Sequence, residues 1–166
     1  LKHTLERRTI ERLQEEGTVD FSKERVLLVS AVDRFGMAQA IDKVCPQTVY
    51  GDVLFGLGLP LKLKKYKTVS RLASVLLPVV TRLPFQWFYP TGEKQEERKP
   101  KFPDVFAWAT FVCGDWHYIR RYAPDDLKGK TVMTQTLRSA DLEWLRTTGA
   151  RRAIATTPEM GGETFA

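Results

Sequence analysis

The sequence predicts an α/β domain of Rossmann-like build, three layers deep, with helices on both faces of a mostly parallel sheet. Three observations predict it. Short runs of aliphatic and β-branched residues recur along the chain, clearest at RVLLVSA (Arg25–Ala31), as in strands covered on both faces. Segments of helical period alternate with those runs, which is the order of a parallel sheet with crossover helices. Each run also ends in small or polar residues, as strands do at the ligand-binding edge of such a sheet.

The elements follow in order. Thr4 to Glu16 reads as a helix: Thr4 can cap it, Leu5, Ile10 and Leu13 give a partial apolar face, and Gly17 can end it. Arg25–Ala31 is the first strand. Gly36–Val44 is helical and Pro46 stops it, and a second short strand is expected at Gln47–Tyr50, closing on Gly51-Asp52. Asp52–Lys67, with FGLGLP, reads as irregular, and Thr68–Leu77 as a helix broken by Pro78. Pro84–Pro103 reads as a long loop carrying four prolines and the charged run GEKQEERK, within an irregular basic and aromatic insertion over 61–103. Asp104–Ala109 is a short helix with Pro103 at its first position. A strand at Thr110–Cys113 runs into Gly114-Asp115, and Trp116–Tyr122 is helical. A strand is expected at Thr131–Thr136, a helix from a capping Ser139 to Thr147 with Gly149 beyond it, and a last strand at Arg151–Thr156.

Length and composition fit this reading. The 166 residues can bury one substantial core, so a single domain over 1–166 is expected. No apolar run approaches the roughly 18 residues of a membrane helix; the longest, Leu72–Thr81, is closed by Arg71 and Arg82. Cys45 and Cys113 stand far apart and read as buried free thiols of a cytoplasmic protein. Two histidines give too few ligands for a Cys/His zinc site, and no metal is expected. The first residue is Leu1, and the last, Gly162–Ala166, follow a strand-like run, so the chain is expected to be a piece of a longer one.

The candidate chemistry lies at the strand ends. SAVDRFGMA has the length of the glycine-rich turn that joins the first strand of a dinucleotide-binding domain to its helix. On a G-x-x-G-x-x-G frame Ser30, Asp33 and Gly36 take the three glycine places, and Arg34 stands where it can offset the charge of Asp33. Gly36 opens the helix, where free N–H groups favour phosphate. Asp52, about 20 residues on at the end of the second strand, is placed to hold ribose hydroxyls, which favours NAD over NADP. A second cluster, Gly114–Tyr122, brings Asp115 and His117 together as a candidate acid–base pair, with Arg120 and Arg121 as candidate anion binders. The plainer alternative is an amphipathic turn with Trp116, Ile119 and Tyr122 inside. The run Lys62–Lys67 and the aromatics from Phe85 to Tyr89 suit an anionic surface, but a solvated face beside a core helix accounts for them as well. The net charge of +6 leaves the partner open, and a small molecule is expected rather than nucleic acid or membrane.

Several stretches together resemble bacterial proteins that carry the name quinate 5-dehydrogenase: HTLERRTIERL (His3–Leu13), RVLLVSAVDRFGMAQA (Arg25–Ala40), GDVLFGLGLP (Gly51–Pro60), LPVVTRLPFQWFYPTGEKQ (Leu77–Gln95), GDWHYIRRYAPDDLKGKTV (Gly114–Val132) and TTPEMGG (Thr156–Gly162). The resemblance implies oxidation of a cyclic polyol acid such as quinate with NAD or NADP as acceptor. Enzymes of the quinate and shikimate dehydrogenase group carry a Lys–Asp pair on a separate N-terminal substrate domain and an intact glycine turn. This sequence shows neither. The competing expectation is a non-catalytic Rossmann-like domain that binds or senses a ligand.

Overall fold

The structure, a computed structural model, describes residues 2–80, 98–157, 159–160 and 163–164. Five strands form an all-parallel sheet in the order β2-β1-β3-β4-β5: β1 (Val26–Leu28), β2 (Thr48–Tyr50), β3 (Phe111–Cys113), β4 (Thr131–Thr134) and β5 (Arg152–Ala155). Val26 is paired with Thr48 on one side and Phe111 on the other, and Phe111 in turn with Thr131. A two-stranded antiparallel ribbon, β6 (Glu159–Met160) with β7 (Glu163–Thr164), follows. The Rossmann-like α/β expectation is met.

Strand residues alternate between two cores. Val26, Leu28, Phe111, Cys113 and Met133 face α1 (Lys2–Glu15) and α2 (Phe35–Val44), meeting Ile10, Met37 and Ile41. Leu27, Val29, Val112 and Val132 face the other way, toward Phe106 of α4 (Pro103–Trp108), Ile119 of α5 (Trp116–Tyr122) and Leu145 of α6 (Ser139–Thr147). The near-continuous apolar runs are explained by this: every residue of β1 to β3 has a buried face to fill. Cys45 and Cys113 are both free and buried, one in a cap, one in a strand.

Four details differ from the expected elements. The ladder of β1 covers only Val26–Leu28, because the chain beyond Val29 leaves the sheet to form a turn. Asp52–Gly56 is a π-helical turn rather than irregular chain. Pro78 does not end α3 (Tyr66–Val80): the helix runs two residues past it, the N–H that proline lacks costing one bond to the carbonyl four residues back. At α6 the capping position is Arg138, not Ser139: the Asp141 carboxylate reaches back to accept the Arg138 N–H at 2.9 Å, which moves the frame by one residue. Pro103 does open α4, as expected, and the residue before it, Phe102, takes a left-handed conformation (φ 52°). Residues 84–97 of the expected long loop, and 162, 165 and 166 of the C-terminal run, lie outside the described residues.

Candidate functional site

The strand order reverses direction between β1 and β3, and ligands of open α/β sheets bind in the crevice beyond the carboxyl ends at such a point. Two Gly-Asp pairs build it, one after each strand that flanks β1. Both glycines stand where Val29, just past β1, passes too close for a side chain. A Cβ on Gly51 would stand 2.8 Å from the Val29 carbonyl oxygen and 2.6 Å from the Phe55 ring. A Cβ on Gly114 would stand 2.6 Å from Val29 Cγ2, and its φ of 131° lies where L residues rarely go.

The aspartates that follow turn inward. Asp52 Oδ1 accepts the backbone N–H groups of Ala31 and Val32 at 2.9 and 2.8 Å. These are the turn amides after β1 that would otherwise be available to a phosphate. Its Oδ2 is buried without a hydrogen-bond partner. Burial raises the Asp52 pKa above the usual carboxylate range, against the lowering effect of the two amides. Asp115 caps α5: Oδ1 accepts the His117 backbone N–H at 2.9 Å, and its own N–H donates to Ser30 Oγ at 3.4 Å. Ser30 is buried between the two strands it joins.

Arg34 binds these parts together, and it is only 7% exposed. Its Nη2 donates to Asp115 Oδ2 at 2.8 Å, and its Nη1 to Glu6 Oε1 at 2.9 Å and Gln135 Oε1 at 2.6 Å. One guanidinium therefore ties α1, the β1 turn, the end of β3 and the end of β4. Burial opposes its charge, but its bonds to the Glu6 and Asp115 carboxylates outweigh that, so its pKa rises. Glu6, on α1, is as deeply buried, with Oε2 left without a partner. Asp33 lies at the rim with 35% of its side chain exposed, its Oδ2 3.7 Å from Arg34 Nε. Partial burial first, then the carboxylates of Asp115, Asp52 and Glu6, raise its pKa, while Arg34 works against them.

The expected residues thus separate into two groups. Ser30, Asp33, Arg34, Asp52 and Asp115 meet at the switch point, and Gly36 is the second residue of α2, with Arg34 as the capping position. Of the expected acid–base pair, Asp115 and His117, the bond between the two uses the His117 backbone N–H, and the histidine side chain is exposed. Arg120 and Arg121 lie in the last turn of α5, away from its capping aspartate. Arg120 Cζ sits 4.3 Å from the centre of the Trp144 ring, which Arg98 also approaches at 5.3 Å. Burial, then the charge of Arg98, lowers the Arg120 pKa. Arg121 lies against Tyr122, with its Cζ 5.6 Å from the ring centre.

Glu6 and Gln135 are the residues that sequence reasoning missed. Glu6 is one charged residue among several on a helix whose partial apolar face gave it no distinction. Gln135 lay in view, in the Thr-Gln-Thr that begins at the last residue of β4, but polar residues are common at any strand end. Among the described residues, no three His, Cys, Asp or Glu side chains are grouped to hold a metal ion.

A family model spans residues 1–166, the whole chain. The chain belongs to the domain family of unknown function DUF8754. No curated protein and no solved structure matches it. The family carries no activity with it, so the geometry at the switch point carries the functional reading.

Proposed function

We propose that this chain is a non-catalytic Rossmann-like domain that binds or senses a small, uncharged or cationic ligand at the carboxyl edge of its sheet. The observation that carries the reading is the pair of bonds from Ala31 and Val32 to Asp52. A dinucleotide site needs free turn amides facing its pyrophosphate. Here a carboxylate already holds two of them. The surrounding charge points the same way: Glu6, Asp33 and Asp115 lie around one guanidinium, Arg34, and Asp52 adds its charge beside Asp33. A pyrophosphate brought there meets carboxylates at close range in a poorly solvated crevice, where like charges repel strongly. The strand order is also that of mononucleotide-binding and signalling α/β domains, not the 3-2-1-4-5-6 order of dinucleotide folds.

One observation favours the other reading, an NAD- or NADP-dependent dehydrogenase for a cyclic polyol acid such as quinate. Asp52 follows β2, as the ribose-binding acid does, and its Oδ2 is without a partner. Thermal unfolding with NAD, NADH, NADP and NADPH separates the two. A ligand at 100 times its dissociation constant stabilises by about 2.7 kcal/mol, a shift of several degrees for a domain of this size. The proposal expects no shift with any of the four. A shift with NAD or NADH that Asp52→Ala abolishes, together with quinate turnover, establishes the dehydrogenase.

A further inference from the structure

The loop between the π-helical turn and α3 exposes three leucines: Leu57, Leu59 and Leu61 are 44%, 53% and 55% accessible. They alternate along a segment tied at both ends. The Leu59 N–H donates to the Val53 carbonyl at 3.1 Å, and Leu63 is buried, bridged to Tyr50, whose N–H its carbonyl accepts at 2.8 Å. The leucines are therefore presented by an anchored loop, and they find no cover in the described structure. Burying each of them elsewhere would be favourable.

Within its own stretch of sequence the charge is of one sign. No acidic residue occurs between Asp52 and Glu93, while Lys62, Lys64, Lys65, Lys67, Arg71 and Arg82 all do. That stretch alone carries a charge equal to the net +6 of the chain. Lys62 is paired with Asp104 at 2.6 Å, but no ion pair among the described residues engages Lys64, Lys65, Lys67 or Arg71, all exposed. Lys101 comes to the same loop, its Nζ 3.8 Å from the place where a Cβ on Gly58 would stand.

We propose that this loop is a docking surface for an anionic lipid bilayer, with the three leucines entering the headgroup boundary and the free lysines binding lipid phosphates and carboxylates. Charge complementarity together with the leucines selects that occupant. A nucleic-acid backbone answers the lysines but leaves the leucines in water, whereas a bilayer answers both. A second copy of the chain would set one unpaired basic cluster against another. Lysines on flexible stems also suit laterally mobile headgroups, where arginine forks suit fixed phosphates. The sequence alone does not separate this surface from a solvated face, because it does not show which leucines remain outside the core.

The test is co-sedimentation of the full chain with phosphatidylcholine vesicles, with and without a third of phosphatidylserine. Binding is expected to the anionic vesicles only, and to fall steeply at high salt. Each basic residue near such a surface strengthens adsorption about fivefold, so Lys64→Gln with Lys65→Gln is expected to weaken it about 25-fold. Leu57→Ser, Leu59→Ser and Leu61→Ser combined are expected to weaken it at least about tenfold while leaving the unfolding temperature unchanged, since these side chains are exposed. No binding at low salt overturns the proposal, as does binding that the triple leucine variant retains. A dimer that the same triple variant dissolves, in sedimentation equilibrium without lipid, also overturns it and assigns the face to self-association.

Discussion

At Asp52 one carboxylate does two things that a single substitution can separate. Its Oδ1 satisfies the Ala31 and Val32 amides, and its charge is disfavoured by burial. Asp52→Asn keeps an acceptor and removes the charge; Asp52→Ala removes both. The alanine variant is expected to lose about 1–3 kcal/mol through the two orphaned amides. The pH dependence carries a definite sign. Asp33 and Asp52 both have native pKa values above the unfolded value near 3.9, so the native state holds more protons in the window between. Their contribution to stability is fully present below about pH 4 and is lost as pH rises through the raised native values. Urea unfolding from pH 4 to 8 is expected to show a smaller loss in Asp52→Asn than in the parent chain; parallel curves would show that Asp52 titrates normally. Arg34 sets the other residue-scale expectation. Arg34→Met leaves the buried Glu6 and the Asp115 carboxylate without their counter-charge, which costs about 3–5 kcal/mol. A loss under 1 kcal/mol in urea unfolding at pH 7 would show the network to be dispensable. Asp52 was legible in the sequence as a residue of the site, but its direction was not: spacing places a carboxylate at a strand end without saying whether it faces a ligand or its own backbone.

Among the elements, the strands and most helices were legible because their apolar period is set by local sequence. α2, α4 and α5 lie within a residue or two of the expected spans. The π-helical turn was not legible, since its ring stack depends on partners far along the chain: Phe55 lies against Tyr122 at 5.2 Å and edge-on to Phe102 at 5.8 Å. The Gly-Asp pairs stood in plain view as turn residues, yet their reason is tertiary, the close passage of β1. That reason predicts a graded pair of substitutions. Gly129→Ala meets no atom within 4 Å and carries only the cost of its φ of 75°, about 1 kcal/mol. Gly114→Ala adds a collision with Val29 to a larger backbone cost, its φ of 131° lying beyond the left-handed helical region, and is expected to lose about 2–5 kcal/mol. Equal losses in thermal unfolding would mean that β1 and β3 yield at that point.

For the whole molecule, the parallel α/β class followed from the alternation of elements, but the strand order did not, because sequence order alone does not say on which side of β1 the third strand adds. That order creates the switch point, and it gathers Arg34, Asp52 and Asp115 from turns 18 to 81 residues apart. It also explains why an acid–base reading of Asp115 and His117 was attractive: they are neighbours in sequence, whereas the partner Asp115 takes, Arg34, is distant. On the proposed reading the β1 turn, held by the Asp52 carboxylate at the end of β2, does not admit a dinucleotide. Amide resonances of Ala31 and Val32, followed by two-dimensional NMR while NADH is added, test it most directly. Both are expected to stay in place under NADH and to move together only with pH, as Asp52 titrates. Displacement of both by NADH at neutral pH, saturating with concentration, would contradict it.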